Sequence, residues 1–238
     1  ATEPSDPIRN ITVVPEGYED EYDAGRIFDP VWLEKMRGFR AVRFMDWMAT
    51  NGSLQSSWAE RPQVTDVSWM PKGVPVEIMV ALANELGADP WFNMPHLSDS
   101  QYITSFATYV RDHLATNLKA YVEYSNEVWN FGFAQAQYAI EQAKTVLSQD
   151  GGTGWVQYNG MRAAQTCDLW KKDVYKDEAS RVHCVIGAFT GWRDLITDTL
   201  ECPRWVEQGN TPCWQHGIDS IAMTGYFSGC LADDANVQ

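Results

Sequence analysis

The sequence has no run of about 18 apolar residues, so it holds no helical membrane span. Cations are scarce: 18 Lys and Arg stand against 32 Asp and Glu, for a formal charge of −14. Nucleic acid and anionic membrane surfaces need a basic partner, and both are excluded as partners on that ground. No Cys-x-x-Cys pair occurs, and no His or carboxylate cluster has the spacing of a catalytic metal site. No cofactor is therefore expected, although calcium held by loop oxygens stays open. No strand runs into a glycine-rich phosphate turn, which counts against a nucleotide-binding doubly wound sheet. Internal repeats and low-complexity tracts are also missing. Residues 1–7 are polar and lack the apolar centre of a signal peptide, so any export signal must lie outside this chain.

Aromatic residues are abundant, with 11 Trp, 10 Tyr and 9 Phe. Some fill a core, and the surplus can stack on the flat apolar faces of sugar rings. The 238 residues suffice for one large domain, 1–238. All five cysteines fall in the last third. Cys202 and Cys213 bracket a loop containing Pro and Gly, which suggests a disulfide; buried free thiols are the alternative. The odd count leaves one thiol over. Two short glycosylation patterns begin at Asn10 and Asn51 and carry little weight.

Strand and helix signals alternate. Residues 8–14, 40–47, 89–95, 121–127, 182–188 and 218–226 read as strands. Helices are expected from Asp29-Pro30, with Asp as N-cap and Pro at the first turn, and over 76–86, 100–116, 134–148, 155–175 and 192–200. This order implies a parallel sheet and is read as a (β/α)8 barrel. The polar and aromatic residues out of place in a core sit where strands end: Asp46-Trp47, residues 93–96, Asn126-Glu127 and Tyr226-Phe227. The count reaches six strands where a barrel needs eight, so the barrel is expected to be incomplete in this chain.

Residues 121–130, YVEYSNEVWN, form the most informative stretch. A strand rich in aromatic and β-branched residues runs into Asn126-Glu127. Burial of a carboxylate there, beside an amide and before Trp129, disfavours the ionised form and raises the pKa. A raised carboxyl pKa suits a general acid near neutral pH, and protonation of a glycosidic oxygen is the natural chemistry.

With those strand ends in place, the chain resembles the retaining (β/α)8 glycoside hydrolases of the cellulase-, mannanase- and xylanase-like clan, over residues 31–227. Asn126-Glu127 carries the resemblance, at the end of the fourth strand if residues 8–14 are the first. The wider string EYSNEVWN is similar to bacterial proteins labelled cellulose-binding. The resemblance implies that Glu127 is the acid/base and that Asn126 bonds the sugar 2-hydroxyl, a contact that strengthens in the transition state. It implies that Arg43 holds the nucleophile ionised, that His96 is the third-strand histidine and that Tyr226 lies near the nucleophile. The clan's nucleophile is a Glu on the seventh strand, and nothing here matches it. A retaining mechanism needs two carboxyl groups about 5–5.5 Å apart, so the nucleophile is expected beyond Gln238 in a longer parent, or is absent.

Each residue has a plainer alternative. Glu127 can be a salt-bridged structural carboxylate. Glu123 shares a strand face with Ser125 and Glu127 if the strand stays regular, and a core ion pair is favoured for it over a second catalytic carboxylate. Arg43 can pair with Asp46 or Glu123, His96 can be a packed histidine, and Tyr226 can be a core ring. Asp99 is read as a helix N-cap. Trp47, Trp58 and Trp69, on the long loop after the second strand, can stack on sugar or fold into a satellite core; Trp91 and Trp129 can line a cleft floor. The first functional reading is a secreted glycoside hydrolase cleaving β-linked polysaccharide (glucan, xylan or mannan). The others are a non-catalytic carbohydrate-binding protein on a degenerate barrel, and an intracellular α/β enzyme of another class.

Overall fold

The computed structural model describes residues 12–225, together with residues 3 and 5. The chain divides into two compact units, Ala1–Gly38 and Phe39–Gln238.

In the first unit two short helices are described, α1 (Glu19–Asp23) and α2 (Pro30–Met36). Asp29 caps α2 as the Asp-Pro pair predicts: its Oδ1 accepts from the backbone N–H of Val31 at 2.7 Å and of Trp32 at 3.1 Å. Leu33 is buried on this helix, and Trp32 and Met36 are half-buried.

The second unit is a parallel α/β structure. Its strands are β1 (Ala41–Arg43), β2 (Asp89–Met94), β3 (Ala120–Tyr124), β4 (Val182–Ala188) and β5 (Ser220–Met223). They pair in sequence order, every pair parallel. The helices are α3 (Val76–Leu86), α4 (Ser100–His113), α5 (Ala134–Val146), α6 (Gly154–Asp168), α7 (Asp194–Glu201) and α8 (Pro203–Glu207). Local signals set their limits. Gly87 ends α3 in the left-handed region, at φ +64°. Asp99 starts α4 by accepting from Tyr102 N–H at 2.6 Å. α6 runs on through a wider π-type turn over Leu169–Tyr175.

The sequence expectation of a (β/α)8 barrel is overturned. The described residues contain one five-stranded, all-parallel sheet, curled into a half-barrel, with β1 and β5 as its two edges. Residues 12–14, read as part of a first strand, form none, and the rest of that segment lies outside the described residues. Closure requires hydrogen bonding between the first and last strands, and β1 pairs only with β2 among the described residues. The Asn126-Glu127 strand is accordingly the third described strand, not the fourth.

Alternation along the strands divides the sheet into two faces. Helices cover the face that carries Phe92, Val122 and Ile186. Phe92 meets the rings of Phe106 on α4 and Trp170 after α6, at 5.1 and 6.3 Å. The opposite face is concave. In register across it stand Arg43, Trp91, Tyr121 and His183. The Arg43 guanidinium lies 5.1 Å from the Trp91 ring, Trp91 stacks on Tyr121, and Tyr121 packs on His183.

Two disulfides are present. Cys202–Cys213 closes the loop that the sequence marks, and Cys167–Cys184 ties α6 to β4. Cys230 lies outside the described residues. No described helix is long and apolar enough to cross a membrane.

Candidate active site

A cleft of about 220 Å³ opens at the C-terminal ends of the strands. Arg43, Trp91, Glu123, Asn126, Glu127 and Trp129 line it, with Gly187 and residues 222–224 on the β4–β5 side. Arg43, Trp91, Asn126, Glu127 and Trp129, all singled out from the sequence, are therefore together, and Glu123 is with them.

Glu127 reaches the cleft by a route that regular strand geometry does not offer. β3 ends at Tyr124, and both Ser125 and Glu127 have left-handed backbones, at φ +61° and +40°. Such conformations are costly for residues other than Gly and persist where the surroundings enforce them. Here Ser125 N–H donates to the Met94 carbonyl at 2.8 Å, and Asn93 Nδ2 donates to the Ser125 carbonyl at 2.8 Å. The alternation expected to align Glu123, Ser125 and Glu127 is broken at this point, yet both carboxylates still line the cleft.

Glu123 is the buried carboxylate. Its Oε2 accepts from Arg43 Nη2 at 2.8 Å, Asn93 Nδ2 at 2.8 Å and Trp91 Nε1 at 3.0 Å. Burial pushes its pKa above the ordinary carboxyl value; the Arg43 charge and the three donated bonds pull the other way. The ion pair weighed for Glu123 and Arg43 is thus present, at the cleft wall. Its Oε1 faces Gly187, where a β-carbon would come within 2.9 Å.

Asn126 is fixed from both ends of its amide. Oδ1 accepts from Arg43 Nη2 at 2.9 Å, and Nδ2 donates to Asn51 Oδ1 at 3.0 Å. Gln135 holds this arrangement by donating from Nε2 to Asn51 Oδ1 at 2.7 Å and to the Asn126 carbonyl at 2.9 Å. Beyond these bonds Nδ2 keeps one proton for a ligand hydroxyl.

The other described candidates lie elsewhere. His96 is buried against the Tyr138 ring at 5.3 Å, its carbonyl accepts from Tyr124 Oη at 2.7 Å, and burial lowers its pKa to about 4. Trp47 packs against Phe44 at 5.5 Å and is absent from the cleft lining. Tyr226 lies outside the described residues. Trp58 packs at the rim of the helix-covered core, with Arg61 4.2 Å from its ring and Tyr102 and Phe106 edge-on to it, and Trp69 Nε1 donates to the Gln63 carbonyl.

Sequence reasoning missed Gly187, Asn51, Gln135 and the β5 residues of the cleft. A glycine near the C-terminal end of a strand, on the face shared with His183 and Val185, was the available signal for Gly187, since glycine there marks a close approach. Compared with protein-family models, curated proteins and solved structures, the chain matches none.

Proposed function

We propose that this cleft binds a β-linked polysaccharide (glucan, xylan or mannan) and that the protein is a secreted glycoside hydrolase with Glu127 as general acid/base. The observation that carries the proposal is the position of Glu127: it lines an open cleft together with two indoles, Trp91 and Trp129, and with Asn126 and Arg43. The indoles offer flat apolar faces to sugar rings, and the fixed Asn126 amide offers a donor to a hydroxyl. Two disulfides fit an oxidising compartment and weigh against an intracellular enzyme.

Retention requires a second carboxylate that attacks the anomeric carbon. Among the described residues the other carboxylate of the cleft is Glu123, whose Oε2 is already taken by three donors. This arrangement favours the second reading, a carbohydrate-binding protein without cleavage.

One experiment separates the two. The protein is incubated with β-glucan, xylan and β-mannan, and reducing sugar and binding are both measured. Release of reducing sugar that disappears in Glu127→Gln supports the hydrolase. Binding without release supports the second reading, and the absence of both sinks the carbohydrate assignment.

A further inference from the structure

The cleft's aromatic wall does not stop at Trp129. Phe189, in the turn after β4, lies nearly parallel to Trp129, with centroids 6.1 Å apart and planes 14° apart. Gly191 leaves the space that the Phe189 ring fills; a β-carbon there would come within 2.7 Å of it. Two further rings follow within three residues of this pair, Phe131 after Trp129 and Trp192 after Phe189. Both flank the buried Trp155, Phe131 edge-on at 5.1 Å and Trp192 tilted at 6.4 Å. Yet Phe131 and Trp192 remain 48% and 49% exposed.

Isolated exposed apolar side chains are ordinary on protein surfaces. Here the pattern is different: two half-exposed rings share one buried ring as their support, and each is joined through its own tight turn to a ring beside the cleft. The Trp192 N–H bonds the Phe189 carbonyl, and the Phe131 carbonyl accepts from Gln137 Nε2, which pins both turns. The rings are therefore held in place before any ligand arrives, which lowers the ordering cost of binding. Their immediate neighbours Asn130, Arg193 and Asp194 are exposed and polar, the kind of groups that hydroxyls bond.

We propose that Phe131 and Trp192, with the Trp129–Phe189 pair leading to them, form outer sugar subsites, so that the site takes an extended polysaccharide chain and not a short oligosaccharide. The inference rests on the cleft being a sugar site and adds where the rest of the chain lies. Continuity with the cleft wall selects a glycan as the occupant. The net charge of −14 selects an uncharged glycan over a polyanionic one.

The test measures dissociation constants by calorimetry for cello-, xylo- and manno-oligosaccharides of two and of six units. It uses the full chain carrying Glu127→Gln, so that no probe is cut. The quantity read is the ratio of the two affinities within the best-bound series. The six-unit chain is expected to bind more tightly than the two-unit one. Phe131→Ala with Trp192→Ala is expected to lower that ratio about tenfold, and Phe131→Tyr with Trp192→Tyr to restore it. A ratio near one in the starting protein overturns the outer subsites and leaves the cleft reading standing. So does a ratio unchanged by the alanine pair, or affinities for both lengths that fall together. Failure of every oligosaccharide to bind overturns both.

Discussion

Arg43 and Glu123, on strands separated by β2, meet through a single 2.8 Å bond from Nη2 to Oε2. The same Nη2 donates to Asn126 Oδ1 at 2.9 Å. One guanidinium nitrogen thus links the buried carboxylate of the cleft to the amide that precedes Glu127. The pair holds the site's shape: Glu123 is too desolvated to stand as an anion without its cation.

Replacing Arg43 by Met should therefore destabilise the fold. Removing one partner of a buried pair costs about 3–5 kcal/mol; because Arg43 keeps 34% of its side chain exposed, a loss of about 2 kcal/mol is expected. The loss should depend on pH in a fixed direction. The folded carboxyl holds its proton more tightly than the unfolded one, whose ordinary value is 4.5. Its contribution is whole below pH 4.5 and is lost as pH rises through the folded value. Urea unfolding should find Arg43→Met mildly destabilised in acid and more so near neutrality, with Glu123→Gln in the same chain removing the difference. Equal losses at both pH values would contradict the assignment.

His96 should give the opposite slope. Burial lowers its pKa from 6.5 to about 4, so the unfolded chain binds a proton that the folded one refuses. Stability is whole above pH 6.5 and falls as the pH drops toward 4. The steepest loss is about 1.4 kcal/mol per pH unit, and the total is about 3 kcal/mol. His96→Phe, which cannot be protonated, should flatten the unfolding free energy across that window. An unchanged slope in the variant would place the titration elsewhere.

Gly187→Ala crowds the cleft at the carboxylate that its polar network holds. The added methyl would come within 2.9 Å of Glu123 Oε1 and 3.3 Å of Trp129 Cη2. Glu123 is held by three donors and Trp129 is stacked on Phe189, so the methyl forces both to shift and a stability cost of about 1–3 kcal/mol is expected. The cleft narrows, and affinity for the best-bound oligosaccharide should weaken about tenfold by calorimetry. Unaltered affinity would show that sugar does not enter past Gly187.

Five strands were legible in the sequence because each is a short apolar run bounded by turn residues, and α3 was legible to the residue from its stripe and Gly87. Barrel closure was not, because pairing between distant edges leaves no local mark on either strand. The Arg43–Glu123 pair was legible only as one of two alternatives, Asp46 being the other partner open to Arg43. The route of Glu127 into the cleft was not legible, since it depends on left-handed backbone at Ser125 and Glu127, residues whose side chains give no hint of it. The cysteines divide in the same way. Cys202 and Cys213 bracket a visible loop, whereas Cys167 and Cys184 meet only because α6 packs on the sheet, bringing their Cα atoms to 5.8 Å.

Ser125 joins stability to function most directly. It is fully buried in a left-handed conformation, and its Oγ has no hydrogen-bond partner. Gly carries no penalty for that backbone and no hydroxyl to leave unpaired. Ser125→Gly should raise stability by about 1 kcal/mol, offset in part by the greater freedom of the unfolded chain. The same change loosens the turn that delivers Asn126 and Glu127 to the cleft. A variant with a higher unfolding midpoint in urea and a weaker hold on oligosaccharide would tie the strain to the site. A more stable variant with undiminished binding would show that the turn is fixed by Asn93 and Met94 alone, and that the strain at Ser125 contributes nothing to recognition.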